Sequence, residues 1–133
     1  MKPDTAPQAL LATIDADTML REVQDWAAIN TGTGNIAGLD RMARILADAF
    51  STLPGDVELV EPATVTAISP EGREYEKPHG KHMVLRVRPE ADRRFVLTGH
   101  MDTVFPEDHP FQQVSWLDDD TINGPGTADM KGG

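Results

Sequence analysis

The run Arg94-Phe95-Val96-Leu97-Thr98 constrains this chain more than any other stretch. Three consecutive large apolar residues leave no polar face, which is how a strand buried on both sides of a sheet reads. A sheet covered on both sides needs helices, so the expected fold class is α/β with a central mixed sheet. The run stops at Gly99-His100-Met101-Asp102, so the strand delivers a His and an Asp to its end. Open α/β sheets gather their ligands beyond the carboxyl ends of their strands.

The covering helices are expected before the strands. Asp15 or Asp17 is placed to cap a first helix, in which Met19, Leu20, Val23, Trp26 and Ala27 recur at helical spacing. It ends near Asn30. Asn35 caps a second helix running from about Ile36 to Leu53. Its stripe of Ile36, Leu39, Met42, Ala43, Leu46, Ala49, Phe50 and Leu53 faces a core, and Pro54-Gly55 stops it. Residues 1–13 read as a loose leader. Strands are expected at Val57–Glu61 and His82–Arg88, with Thr64–Ile68 either continuing the first or forming a second, a loop or hairpin tip from Ser69 to Gly80 and a turn from Pro89 to Arg93. No internal repeat is present.

Gly32-Thr33-Gly34-Asn35-Ile36-Ala37 matches a dinucleotide-binding G-x-G-x-x-A pattern. That pattern works only after a strand. An amphipathic helix is expected before it here, so the stretch reads as a helix–loop–helix turn.

The chain contains no Cys, so a metal would have to be held by His and carboxylates, as suits zinc, cobalt or manganese. With the backbone extended, His100 and Asp102 point the same way. One ring nitrogen of His100 can then ligate a metal while Asp102 accepts a hydrogen bond from the other, fixing the tautomer. Asp129 sits in Asn123-Gly124-Pro125-Gly126-Thr127-Ala128-Asp129-Met130-Lys131-Gly132-Gly133, where glycine backbone rather than bulk sets its direction. A carboxylate in such a place can bridge two metals, and two metals can share and deprotonate a water.

Other chemistry-bearing residues have quieter readings. Asp118-Asp119-Asp120 fails the calcium-loop frame, because the twelfth position from Asp119 is Met130 rather than Glu, and reads as a solvated acidic turn. His79 and His82 are expected to be exposed, and His109 to be an incidental loop residue. Trp116 is expected to pack under its loop. Lys131 is expected to face solvent or to pair with a nearby acid.

The net charge of −10 argues against a nucleic-acid or anionic-membrane surface, both of which need clustered Lys and Arg. The longest apolar patch near the start, Ala9-Leu10-Leu11-Ala12, is too short for a signal-peptide core. No stretch reaches the ~18 apolar residues of a membrane span. A cytoplasmic location is expected.

Taken together, Gly99-His100-Met101-Asp102-Thr103-Val104 and Gly124-Pro125-Gly126-Thr127-Ala128-Asp129-Met130-Lys131-Gly132-Gly133 resemble the motifs of metallopeptidase family 20. This is the dinuclear zinc family of aminoacylases, acetylornithine deacetylases, succinyl-diaminopimelate desuccinylases and glutamate carboxypeptidases. The resemblance is specific over residues 96–133, and Pro125 leans it toward the glutamate carboxypeptidase branch. It implies that His100 ligates one of two zinc ions (cobalt or manganese being possible substitutes) and that Asp129 bridges them. It implies that Asp102 is the catalytic-site carboxylate orienting His100, and that the Asp129–Met130 peptide is cis.

The implied activity is hydrolysis of a peptide or N-acyl amide bond beside a free carboxylate, in a small peptide or N-acyl amino acid. The family also uses a Glu-Glu pair, a further acidic ligand and a distant His, none of which follows Asp129 here. The chain therefore reads as the N-terminal part of a zinc-peptidase-like catalytic domain. It would be inactive alone, and would belong to a longer protein with a dimerisation domain and a homodimeric state. The alternatives are a non-catalytic metal-binding or interaction module and, more remotely, a nucleotide-dependent enzyme using residues 32–37.

Overall fold

The computed structural model describes the backbone of residues 5–133 and the side chains of residues 8–133. It is an α/β structure. Three helices come first, α1 (Thr5–Leu11), α2 (Ala16–Ala27) and α3 (Ile36–Phe50). Six short strands follow: β1 (Asp56–Val60), β2 (Val65–Ile68), β3 (Glu74–Lys77), β4 (His82–Arg86), β5 (Ser115–Asp118) and β6 (Thr121–Asn123). Part of the expected leader is thus helical, while residues 1–4 of it lie outside the described residues. None of these helices is long and apolar enough to cross a membrane.

Both main helices start where their caps predict. The Asp15 carboxylate accepts hydrogen bonds from the Thr18 amide at 3.1 Å and the Thr18 hydroxyl at 2.7 Å. Asn35 Oδ1 accepts from the Gly38 amide at 2.9 Å, satisfying one of the free donors of the first turn of α3. The bonds from Thr18, the hydroxyl first, hold the Asp15 carboxyl below its ordinary pKa of 3.8. A depressed folded-state pKa means that the cap stabilises the fold above the ordinary value and loses this contribution as the pH falls through the depressed one. Asp15→Asn keeps a capping oxygen that does not titrate. In an acid titration followed by far-ultraviolet circular dichroism, helix loss in this variant is expected to be less steep than in the parent.

The core is thin. Only Ala27, Ile29, Leu39, Met42 and Ala43 are buried apolar side chains among the described residues. Leu39, Met42 and Ala43 are the part of the α3 stripe that packs toward β1 and β4, while Phe50 and the following Leu53 remain partly exposed. The accessible surface is 10390 Å², against about 6900 Å² expected for a folded monomer of this mass.

Among the described residues the expected central mixed sheet is not found. The strands form three separate antiparallel pairs, β1–β4, β2–β3 and β5–β6. β1 runs against β4 from Asp56 opposite Arg86 to Val60 opposite His82. The β2–β3 hairpin lies within the long connection between them, and β3 occupies part of what reads in sequence as loop. The one parallel pairing is an isolated bridge between Gly32 and Thr103.

Residues 94–98, expected to be the buried central strand, pair with nothing among the described residues. Phe95, Val96 and Leu97 are each more than four-fifths exposed. The apolar pattern records what such a segment needs on both faces. It becomes a strand only where neighbours supply partners for its N–H and C=O groups.

Candidate metal centre

Three contacts bring the end of the apolar run and the glycine-rich loop together. The parallel bridge is the first: the Thr103 amide donates to Thr31 O at 2.9 Å, and the Thr33 amide donates to Thr103 O at 3.1 Å. Secondly, Lys131 Nζ donates to Ile29 O at 2.8 Å, tying the glycine-rich loop to the segment after α2. Thirdly, the Met130 side chain lies so close to Gly99 that a Cβ there would meet it at 3.1 Å. Gly126 has φ +80°, a left-handed conformation open to glycine, and packs against Thr103 and the Lys131 stem. The Asp129–Met130 peptide is cis, the isomer the resemblance implies.

Gly32 is where the helices meet this loop. A Cβ on it would stand 2.5 Å from Phe105 O and 2.9 Å from Pro106 Cα, both backbone atoms, whereas a Cβ on Gly34 would meet nothing within 4 Å. Gly32→Ala is therefore expected to cost roughly 1–3 kcal/mol, the usual range for overpacking. Gly34→Ala is expected to be neutral or to stabilise by up to about 1 kcal/mol through the unfolded chain. Denaturant unfolding of the two variants side by side checks this.

His100 stands between two carboxylates. Its Nδ1 is 3.0 Å from the backbone oxygen of Asp102 and 3.3 Å from Asp102 Oδ1, and its Nε2 is 2.8 Å from Asp129 Oδ1. The Asp129 carboxylate, followed by the Asp102 carbonyl, raises the pKa of His100 above its ordinary value, with burial opposing weakly. A carbonyl oxygen has no hydrogen to give, so Nδ1 must be the donor on the Asp102 side. In a neutral ring Nε2 then carries only a lone pair, and it faces a carboxylate oxygen at hydrogen-bond distance. Two acceptors at that distance need positive charge between them. An imidazolium proton supplies it at this distance, and a metal cation is the other positive charge that these two atoms could hold.

The donor set suits such a cation. One imidazole nitrogen and one carboxylate oxygen converge from the end of the apolar run and a glycine-rich loop, and these are zinc's ligand types in a chain without Cys. Asp129 is largely exposed, so the Nε2 side opens to solvent, while Asp102 backs the Nδ1 side. Both face an open groove of about 340 Å³, walled on its apolar side by Val104, Phe105 and Phe111. Among the described residues, no three His, Asp or Glu side chains come together as a ligand set.

A second open groove, of about 380 Å³, lies where Pro62–Thr64 meets the end of β3. It includes His79, whose Nε2 is buried without a partner, and Glu76. Among the described residues no titratable pair there is within hydrogen-bonding distance.

Several other residues depart from their expected settings. Lys131 is buried, not solvent-facing or acid-paired, because its stem packs beneath Gly126 and its amine reaches a carbonyl. Burial lowers its pKa to about 8. Trp116 is half exposed on β5 opposite Ile122, since a two-stranded ribbon covers only one of its faces. His79 is half-buried, while His82 is exposed. His109 has a structural role: its Nδ1 accepts from the Phe111 amide at 3.1 Å, and its ring lies 5.0 Å from that of Phe105. Asp118 Oδ1 accepts from the Asp120 amide at 2.9 Å, so the acidic run is the turn of the β5–β6 hairpin. The G-x-G-x-x-A stretch follows α2, which is the helix–loop–helix reading.

One site residue went unread in the sequence. Thr33 Oγ1 donates to Asp102 Oδ2 at 2.7 Å. Its only sequence signal was a hydroxyl in the loop that the dinucleotide pattern drew attention to. The chain matches no protein-family model, no curated protein and no solved structure.

Proposed function

We propose that this chain carries part of the zinc centre of a metal-dependent hydrolase that cleaves a peptide or N-acyl amide bond beside a free carboxylate. The observation that supports this most is the convergence of His100 Nε2 and Asp129 Oδ1, an imidazole nitrogen and a carboxylate oxygen 2.8 Å apart on the groove side of the ring, with Asp102 on the far side. The motif resemblance over residues 96–133 supplies the reaction class.

In this reading His100 and Asp129 hold metal, and Asp102 keeps the hydrogen on Nδ1 so that the Nε2 lone pair points outward. Bound zinc would supply Lewis acidity toward a substrate carbonyl and toward water. Val104, Phe105 and Phe111 offer an apolar surface to a small peptide or N-acyl amino acid. These residues supply ligands and an orienting carboxylate, and the resemblance assigns the proton-shuttling base to a Glu outside them. The 133 residues alone are then inactive as an amidase. The same reading places them in the N-terminal part of the catalytic domain of a longer, cytoplasmic, homodimeric protein with two zinc ions per site.

Zinc titration of the chain by calorimetry tests the proposal. A four-ligand structural site releases about 10–16 kcal/mol, so two ligands correspond to roughly half, a Kd of about 1 µM to 0.2 mM. One saturable site in that range is the expected result. No saturable binding would overturn it.

A further inference from the structure

We infer that Thr33 is a positioning residue for the metal centre, acting on His100 through Asp102. The inference rests on the zinc reading above. Asp102 has two carboxylate oxygens and one His to orient. Thr33 Oγ1 donates to Oδ2 at 2.7 Å, which leaves Oδ1 on the His100 side, 3.3 Å from Nδ1. Without that hydroxyl the carboxylate would be free to rotate about its Cβ–Cγ bond, and the negative oxygen that stands 3.3 Å from Nδ1, beside the carbonyl that accepts its hydrogen, would lose its fixed place.

The hydroxyl has a second acceptor within reach, Thr103 O at 3.3 Å. The carboxylate wins it, because a hydrogen bond to an ionised acceptor is shorter and about twice as strong. The backbone delivers Thr33 to this place. Its amide donates to Thr103 O, the Thr103 amide donates to Thr31 O, and Gly32 between them has no room for a side chain. The loop after α2 therefore does more than join two helices: it sets the far end of a chain of contacts running Thr33, Asp102, His100, Asp129.

Thr33→Val is close to isosteric and removes only the hydroxyl, while Thr33→Ser keeps it. Zinc affinity of the 133-residue chain is expected to fall about 10-fold in Thr33→Val, as for other residues that orient a ligand, and to return to the parental value in Thr33→Ser. In an Asp102→Ala background, Thr33→Val is expected to have no further effect. Metal-free melting temperatures of all variants separate this from a folding role. Parental zinc affinity in Thr33→Val, or equal losses with and without Asp102, overturns the inference. So does a metal-free Thr33→Val chain that fails to fold, since the hydroxyl would then be a folding determinant. Loss of the zinc reading itself shows differently, as parental affinity in His100→Ala.

Discussion

His100→Ala is expected to weaken zinc binding by the chain about 100-fold or more. If two ligands release roughly half the binding free energy of a four-ligand site, one releases roughly a quarter, and Kd moves to the millimolar range or beyond. Asp102→Ala removes the carboxylate oxygen 3.3 Å from Nδ1 but leaves the backbone carbonyl that accepts from it at 3.0 Å, so its loss is expected to be smaller, about 10-fold. The ranking matters more than either figure. It follows from Nε2 facing Asp129 across an open groove while Asp102 touches only Nδ1. The metal-free melting temperature of His100→Ala is expected to stay at the parental value, because the ring is about half exposed and belongs to no core. Calorimetric zinc titration with a parallel melting curve makes the comparison. A His100→Ala chain that binds zinc like the parent would remove the centre proposed here.

The second large effect is in the core. Met42→Ala is expected to destabilise the chain by about 2–5 kcal/mol, the range for emptying a buried Met or Leu site. Met42 is 1% exposed and is the largest side chain among the fully buried ones. Domains of this size have only about 5–15 kcal/mol in total, and five buried apolar side chains place this one toward the lower end. Leu97→Ser is the contrasting substitution. By its sequence setting Leu97 belongs in the middle of a buried strand, and its loss would rank with that of Met42. In the structure it is 97% exposed, so the expected change is within about 0.5 kcal/mol. Denaturant unfolding of both variants decides between a packed and an uncovered segment at residues 94–98.

That contrast marks where sequence and structure divide. Local signals were legible. Asp15 and Asn35 cap the helices they were expected to cap, because a cap is a contact between residues three apart. The α3 stripe put Leu39, Met42 and Ala43 inward, because helical spacing alone fixes which side chains share a face. β3 was missed because its Glu74-Tyr75-Glu76-Lys77 has no apolar alternation, and its pairing with β2 comes from a hairpin whose two faces are largely exposed.

The candidate site divides in the same way. Residue types and spacing nominated His100, Asp102 and Asp129, since a His-x-Asp at the end of an apolar run and a carboxylate among glycines are written in one dimension. Spacing could not say that the nearest oxygen to Nδ1 is the Asp102 carbonyl, or that the Asp129 carboxylate meets Nε2. The first depends on the local backbone conformation two residues on, and the second on how a loop 29 residues away is folded back.

The chain by itself determined its helix starts, the inward face of α3 and the donor types available to a metal, because each depends on neighbours within a few residues. Only the tertiary structure decided that Lys131 is buried, that Thr33 holds Asp102, that the strands form three separate ribbons, and that the most apolar run in the chain lies uncovered. Lys131 and Thr33 are settled by partners dozens of residues away, brought close by the Gly32–Thr103 bridge and the Lys131–Ile29 hydrogen bond, while the ribbons stay separate and the run uncovered because no distant partner among the described residues joins them.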